Sequence, residues 1–437
     1  MSGNVNKSVS GAHAAGENAT PEGGAAAQAA ATATPKISTP KGGVAGGTGG
    51  PGGKAKRRGP NLRQYGILLA LVAIVIFFQI ATGGLLLAPN NVASLVQQNA
   101  YVFILAIGMT IVIIARHIDL SVGSVVAFVG GIVALLMSDM NFPWYMAALV
   151  GLLIGVVIGC WQGFWVAYVG IPAFIVTLGG MLIFRGLAIV LVEQTISGLP
   201  GGFVKIANGS VPNFLGYLHD CDAVTLWIGG FAIAGMLWSA FNKRRKAVKA
   251  GRSVEPQGSF ILRNVLLVAG LALVTYILSL SAGGTPIILI IVGVLVLVYS
   301  FVLNRTTFGR HVYAVGGNLE AARLSGVNTR RVDFMVFVNM GVLAALAGIV
   351  TTSRAGAAVA TAGNAYEMDA IAAAFIGGVA VTGGRGKISG AIIGALIMGV
   401  LNMGLSILNV DSAWQQAIKG LVVILAVAFD VVSNKRK

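Results

Sequence analysis

Long apolar stretches separated by short polar loops run through most of this chain of 437 residues. A helix needs roughly 20 apolar residues to cross the hydrocarbon core of a bilayer. Segments that reach or approach this length lie at 66–88, 92–115, 120–138, 144–167, 171–193, 224–241, 261–280, 285–303, 332–354, 370–382, 388–409 and 413–432. The pattern predicts an all-α polytopic membrane protein, a bundle of about 10–12 transmembrane helices.

Two features leave the number of helices open. The apolar stretch at 370–382 is short, which allows a half helix or a re-entrant segment as well as a full span. The boundary between 92–115 and 120–138 is also open, because only a short polar break separates these two segments.

The first 60 residues differ from the rest, since Gly, Ala, Thr and Pro dominate them and large apolar side chains are almost absent. Such a segment cannot bury enough surface to offset the entropy that is lost on ordering. We expect 1–60 to be a disordered cytoplasmic tail and 61–437 to form the membrane domain.

Composition and charge support the membrane assignment. The chain is 56% apolar and only 10% charged, and a soluble globule with so few charges could not cover its own surface. The net charge of +16 could indicate a nucleic-acid partner, but most Lys and Arg residues cluster in alternate loops, as in cytoplasmic membrane loops. The distribution predicts cytoplasmic N- and C-termini and no nucleic-acid partner. The bases outside this pattern are Arg185, Lys205, Arg354 and Lys419.

The sequence contains no convincing catalytic or metal-binding constellation. The cluster at 219–222 (HDCD) has metal-ligand types, but neighbours in sequence rarely converge on one tetrahedral ion. The run at 383–390 (GGRGKISG) resembles a phosphate loop, yet Val381 stands where that motif needs Gly and Ile388 where it needs Ser or Thr. We therefore expect no enzyme activity, no metal, no cofactor and no ATP site on this chain.

Polar side chains within the apolar segments are costly in hydrocarbon and usually face a pathway or a partner. They include Gln97, Gln98, Asn99, Thr177, Arg185, Asn339, Asn402 and Lys419. A hydroxylated solute that crosses the membrane needs replacements for its hydrogen bonds to water. The candidates for such a substrate pathway are Gln98, Asn99, Thr177, Arg185 and Asn339. Hydrogen bonding between helices is the alternative role for each of them.

Glycine recurs at every fourth position from 151 to 163, and Gly390 and Gly394 repeat the spacing. This spacing keeps the glycines near one helical face, where a neighbouring backbone can approach closely. The pattern predicts tight helix packing.

The loop at 304–331 contains a short predicted helix. Asn318 is a suitable N-cap, Glu320 in the first turn suits the helix dipole, and Gly326 suits the C-terminal stop. A helix of about two turns is not stable alone. It needs a partner surface, either the ends of its own bundle or another protein.

In this loop the chain resembles a known family. The run at 307–318 (TFGRHVYAVGGN) is similar to the permeases of bacterial ABC importers for monosaccharides, the ribose, xylose, arabinose and galactose group. The runs at 118–124 (IDLSVGS) and 383–386 (GGRG) match two further hallmarks of that group. The extra hydrophobic pair around 224–280 is most similar to the D-xylose members.

The resemblance implies a transport subunit that imports a monosaccharide, such as the pentose xylose, across a bacterial inner membrane. It also implies three partners besides the lipid bilayer. These are a second permease subunit in a homodimer, a cytoplasmic ABC ATPase that binds the ATP, and a periplasmic sugar-binding protein.

The resemblance further implies that the short loop helix couples this chain to the ATPase. The residues assigned to coupling are Gly316, Gly317, Asn318, Glu320, Ala321, Ala322, Arg323, Ser325 and Gly326. Asp119, Ser121 and Gly123 belong to the second hallmark. Their role stays open between a gate and the cap of the following helix.

Two other functions compete with this hypothesis. An ion-coupled secondary sugar transporter would need titratable residues on its path, for which Arg185, Glu193 and Lys419 are candidates. A membrane enzyme would need paired carboxylates for metal–phosphate chemistry, and Glu367 with Asp369 is the nearest pair. The charge distribution predicts that this pair is on the outer side, and no second pair accompanies it.

Overall fold

The computed structural model of the chain describes residues 62–251 and 254–435. The predicted tail at 1–60 lies outside the described residues. The α-helices of the described ranges are α1 (Leu62–Ala81), α2 (Pro89–Gln98), α3 (Ala100–Ile114), α4 (Val122–Ser138), α5 (Trp144–Phe164), α6 (Ala173–Leu191), α7 (Gly201–Asn208), α8 (Ala223–Lys249), α9 (Gln257–Ser279), α10 (Ile287–Arg305), α11 (Thr307–Gly317), α12 (Leu319–Leu324), α13 (Thr329–Ala355), α14 (Tyr366–Ile376), α15 (Ile388–Ile407) and α16 (Ser412–Lys435).

Strand structure in the described residues is limited to a short hairpin and two isolated bridges. The strands β1 (Tyr217–Leu218) and β2 (Cys221–Asp222) pair antiparallel. A π-helical stretch, Trp165–Val169, continues α5. The predicted all-α class is confirmed.

Seven helices of the described ranges are long and apolar enough to cross a bilayer, and the bent pair α2–α3 makes eight if it counts as one span. The seven are α5 with its π-helical extension, α6, α8, α9, α10, α13 and α15. The helices at Gly66–Ala81 and Val122–Ser138 are apolar but shorter. The chain is therefore a polytopic helical membrane protein, as its apolar pattern predicts.

The short apolar stretch at 370–382 corresponds to α14, which has 11 residues. This helix is too short to cross a bilayer by itself. The break between 92–115 and 120–138 is real, because residues 115–121 are not helical.

The sequence predicts one helix at 92–115. The structure has two helices there, α2 and α3, whose axes differ by 44°. They join at Asn99, whose Nδ2 donates to the carbonyl of Leu95 at 2.9 Å. The Oδ1 of Asn99 accepts from Asn402 Nδ2, also at 2.9 Å. A side chain that inserts into the helical hydrogen-bond ladder is a known cause of a kink.

The helix α3 forms the centre of the bundle. Every one of its residues except Tyr101 is buried, and α13, α14 and α15 pack around it. A helix that is apolar on all sides is stable where other helices surround it.

The glycine spacing produces the predicted close packing between helices. A Cβ added at Gly155 on α5 would lie 2.6 Å from the carbonyl oxygen of Gly341 on α13. A Cβ added at Gly394 on α15 would collide with the carbonyl of Ala373 on α14. Only glycine allows these backbones to approach so closely.

Candidate functional site

Three segments meet at one end of the bundle in a region that we name the loop junction: residues 114–117 at the end of α3, residues 313–318 at the end of α11, and the loop at 383–386. Arg116 joins the first segment to the second. Its Nε donates to the carbonyl of Gly316 at 2.8 Å, and its Nη2 donates to the carbonyl of Gly317 at 2.8 Å. These bonds hold the C-terminal end of α3 against the C-terminal end of α11.

The third segment joins through two further hydrogen bonds. The amide of Gly384 donates to the carbonyl of Ile114 at 2.9 Å. The hydroxyl of Tyr313 donates to the carbonyl of Gly386 at 2.8 Å. Burial raises the pKa of Tyr313 above its ordinary value, so its hydroxyl stays protonated as this donor.

Backbone contact in the loop junction explains why Gly316 is a glycine. A Cβ at Gly316 would collide with the carbonyl oxygen of Ile114 and would lie 2.7 Å from the amide nitrogen of Gly384. No side chain fits between these groups. By contrast, a Cβ at Gly317 would meet open space.

The predicted short loop helix is present as α12, and its caps are those predicted. The Oδ1 of Asn318 accepts from the amide of Ala321 at 3.0 Å, and Glu320 occupies the first turn. After the helix, Gly326 has a φ of +82°, a conformation that favours glycine. Ser325 donates through Oγ to the carbonyl of Ala321 at 2.8 Å.

The exposure of α12 bears on its need for a partner. Ala322 is the one buried residue of the helix and attaches it to the bundle. Glu320 and Arg323 are exposed, and the exposed fraction of Leu324 is 88%. One face of α12 therefore packs on its own bundle while a mixed apolar and charged face is left open.

A further helix, α11, was not predicted from the sequence and leads directly into α12. The side chain of Thr306 caps it by accepting from the amide of Gly309 at 3.2 Å. Its buried face includes Val312 and Val315. The Thr cap followed by apolar residues at helical spacing was the signal that could have found it.

The second hallmark forms a hydrogen-bonded turn before α4. Asp119 Oδ1 accepts from the amide of Ser121 at 2.9 Å and from its hydroxyl at 2.6 Å. Gln162 on α5 donates to Ser121 Oγ at 2.6 Å, and Thr177 on α6 donates to the carbonyl of Ile118 at 3.3 Å. The turn is thereby tied to two neighbouring helices.

A second non-helical stretch, residues 356–365, approaches the first turn of α4. A Cβ at Gly123 would collide with the carbonyl of Gly363. Arg185 holds this stretch, since its Nη1 donates to the carbonyls of Ala360 and Ala362 at 2.9 and 2.7 Å. Irregular backbone at membrane depth requires such partners.

A cavity of about 280 Å³ lies between α2, α3, α13 and α14. Its lining residues are Gln97, Gln98, Tyr101, Val350, Thr351, Arg354, Ala355 and Tyr366. The rings of Tyr101 and Tyr366 stack with centroids 3.5 Å apart. The wall thus combines aromatic faces with amide, hydroxyl and guanidinium groups.

Some of the polar groups around this cavity have unused hydrogen-bonding capacity. Arg354 donates through Nη1 to Asn208 Oδ1 at 2.8 Å, but its buried Nε has no acceptor among the described residues. The buried Oγ1 of Thr351 likewise makes no hydrogen bond of normal geometry there. Unpaired buried polar groups are costly.

The five residues assigned to a substrate pathway do not come together. Gln98 lines the cavity, and Asn99 lies next to it at the bend. Thr177 and Arg185 hold the two irregular stretches instead. Asn339 accepts from the hydroxyl of Tyr299 at 2.6 Å, which matches the helix-bonding alternative.

A buried ion pair lies behind the tyrosines. Asp369 Oδ2 accepts from Tyr101 at 2.6 Å and from Lys419 Nζ at 3.2 Å, and Asp369 is only 1% exposed. The charge distribution along the sequence predicts an outer-side position for Asp369 and indicates no partner for Lys419. Nothing in the sequence indicated that residues 50 positions apart on α14 and α16 would pair.

The fold and these motifs define a multi-pass membrane protein with a loop-bearing end and a cavity between its helices that polar and aromatic side chains line. The family described as "Branched-chain amino acid transport system / permease component" matches residues 91–427. The chain belongs to this permease family, within the group of monosaccharide permeases that its motifs resemble.

Similar relatives carry the names of sugar permeases. The xylose transport system permease protein XylH of Haemophilus influenzae is 38% identical over 87% of this chain and 99% of its own length. XylH of Escherichia coli K12 is 38% identical over 88% of this chain and 96% of its own length. The ribose import permease protein RbsC of Escherichia coli K12 is 34% identical over 85% of this chain and 92% of its own length. No solved structure matches the chain.

Proposed function

We propose that this chain is the membrane-spanning subunit of an ATP-driven ABC importer that carries a monosaccharide into the cytoplasm. A pentose such as xylose is the proposed substrate, because the xylose permeases are among the similar relatives. ATP is bound by a separate ATPase, and this chain performs no chemistry. We further propose a homodimer in a bacterial inner membrane, supplied by a periplasmic sugar-binding protein.

The loop junction is the observation that carries this proposal. The Arg116 side chain donates hydrogen bonds that hold the end of α11, which leads directly into α12, against the end of α3. The exposed face of α12 is free to bind the ATPase. The junction faces the cytoplasm, and both termini do so too. This orientation follows from the bases in the loops, among them Arg116, Arg310, Arg323 and Arg385.

The central helix offers a mechanical link between the two sites. α3 has 15 residues and is therefore roughly 22 Å long. Its C-terminal end contacts the loop junction, and Tyr101 near its N-terminal end lines the cavity. A displacement of α12 is passed to α3 through the hydrogen bonds of Arg116. Because α3 is tightly packed, α3 then moves as a rigid body, and this movement changes the shape of the cavity.

The cavity suits an uncharged, hydroxylated solute. The amides of Gln97 and Gln98 can donate and accept hydrogen bonds, and the guanidinium of Arg354 is a further donor in the cavity wall. The stacked rings of Tyr101 and Tyr366 add an aromatic surface to the cavity wall, which suits the apolar face of a sugar ring. A ligand biases the permease only by its different affinity for the two states.

Substitution of Glu320 tests the coupling role. Glu320 is exposed in the first turn of α12, so Glu320→Arg reverses a charge without disturbing the core. We expect the variant to insert into membranes normally, to lose co-purification with the ATPase and to lose ATP-driven uptake. The matched control is Arg330→Glu, a charge reversal at an exposed residue outside α12. Normal uptake by Glu320→Arg would refute the coupling role.

The buried pair of Asp369 and Lys419 keeps an ion-coupled transporter as the second candidate, since such a transporter needs titratable groups within the bundle. A protonophore distinguishes the two. Uptake that collapses with the protonophore while ATP is held constant favours ion coupling, and uptake that persists favours the ABC importer.

A further inference from the structure

The hairpin of α8 and α9 carries a groove that the proposed transport cycle does not use. Its volume is about 440 Å³. The lining residues are Leu237, Phe241, Phe260, Ile261, Asn264, Val265, Val268 and Ala269. Asn264 is the polar member, and its Nδ2 is occupied by the carbonyl of Phe260 at 2.7 Å. The groove therefore presents a hydrocarbon-like wall.

Cationic groups stand at one end of this groove. The guanidinium carbon of Arg244 lies 4.6 Å from the centroid of the Phe260 ring, and that of Arg263 lies 5.6 Å from it. Both carboxylate oxygens of Glu255 accept from Arg263 Nη1 at 2.9 Å. The charge of Arg263 is thus compensated.

The charge of Arg244 has no such compensation. Its Nη1 donates to the backbone carbonyl of Glu255 at 3.0 Å, and it forms no salt bridge to a carboxylate of the described residues. Further bases lie beside it in the sequence, on the last two turns of α8. They are Lys243, Arg245, Lys246 and Lys249. The end of the groove is therefore strongly positive, next to a wall that is apolar.

We propose that this groove binds an anionic glycerophospholipid, with an acyl chain along α8 and α9 and its phosphate beside Arg244. Both helices are long and apolar enough to cross the bilayer, so membrane lipid surrounds them. Basic residues next to a spanning helix attract anionic headgroups. A second copy of the chain is a poor occupant, because it would bring two clusters of like charge together.

Native mass spectrometry of the full chain, purified in detergent, tests this proposal. The probes are phosphatidylglycerol and phosphatidylcholine with the same acyl chains. Each basic residue near an anionic headgroup raises the affinity about fivefold, so we expect Arg244 together with one neighbouring base to make phosphatidylglycerol bind at least about tenfold more tightly. Equal binding of the two lipids would overturn the proposal.

Two variants locate the site. Arg244→Gln removes the uncompensated charge, and we expect about a fivefold loss of phosphatidylglycerol affinity. Ala269→Phe fills the groove and should weaken binding of both lipids. The matched control Arg330→Gln removes an exposed charge elsewhere and should change the affinity less than twofold.

Other outcomes would contradict the assignment. An equal loss in Arg244→Gln and Arg330→Gln would indicate general charge attraction instead of a site. Unchanged binding by a monodisperse Ala269→Phe variant would exclude the groove. If the unmodified chain is a dimer without bound lipid, and Ala269→Phe dissociates that dimer, the groove is occupied by a second copy of the chain. None of these results depends on transport activity.

Discussion

Arg116 and Gly316 lie 200 residues apart in the sequence and are joined by a hydrogen bond of 2.8 Å from the guanidinium Nε to the carbonyl oxygen. Arg116 has a φ of +71°, a conformation that costs a non-glycine residue about 1–3 kcal/mol. The hydrogen bonds of the Arg116 side chain to Gly316 and Gly317 hold the residue in this strained backbone conformation. The end of α3 and the base of α12 are thereby made into one unit.

Loss of the Arg116 clamp should uncouple the two sites. Hydrogen bonds from a charged donor contribute about 1.5–3 kcal/mol each, so we expect Arg116→Ala to lower ATP-driven uptake at least about tenfold while the ATPase still co-purifies. Uptake into proteoliposomes that contain the assembled importer measures this. The control Arg310→Ala removes an exposed arginine from α11 and should retain uptake. Equal losses in both variants would contradict the clamp.

Neighbouring glycines in the loop junction should respond differently to the same substitution. Gly316→Ala forces a methyl group into the backbone of Ile114, whereas Gly317→Ala adds one in open space. We expect the first variant to lower the yield of folded protein and its unfolding temperature, and the second to fold normally. Size-exclusion chromatography and thermal unfolding in detergent measure both. Normal folding of Gly316→Ala would show that the junction is not so tightly packed.

The cavity prediction concerns Arg354. Arg354→Gln removes a guanidinium from the wall of the cavity, so we expect the KM for sugar uptake to rise about tenfold, in line with the value of a charged hydrogen bond. Lys205→Gln is the control, because Lys205 is an exposed base on α7 that does not line the cavity. An unchanged KM with a reduced kcat would argue for a structural role of Arg354.

The ion pair of Asp369 and Lys419 predicts a specific pattern of stability. Removal of one partner leaves the other charge buried, which costs about 3–5 kcal/mol, whereas removal of both costs less. We expect Asp369→Asn and Lys419→Met each to lower the unfolding temperature more than the double variant does. Additive losses would show that the two side chains do not interact.

The sequence predicted the features that depend on local patterns. The apolar segments gave the class of fold, because a bilayer requires long apolar helices. The caps of α12 followed from Asn318 and Gly326, since capping depends on a few adjacent residues. The glycine spacing gave the packing face of α5 for the same reason.

Features that depend on contacts between distant residues were beyond sequence reasoning. The bend at Asn99 arises partly from Asn402, and the environment of Asp369 comes from Lys419 and Tyr101. The hallmarks of the family were visible as separate runs. The meeting of the runs at 307–318 and 383–386 in the loop junction is a property of the folded chain.

Accumulation of sugar in proteoliposomes tests the central claim most directly. The claim is that this chain conducts a sugar but draws its energy from a partner that binds to α12. The account predicts that the chain alone, with ATP and an ion gradient present, never raises internal sugar above the external concentration, and that accumulation appears once the ATPase and the sugar-binding protein are added. Accumulation by the lone chain would contradict it.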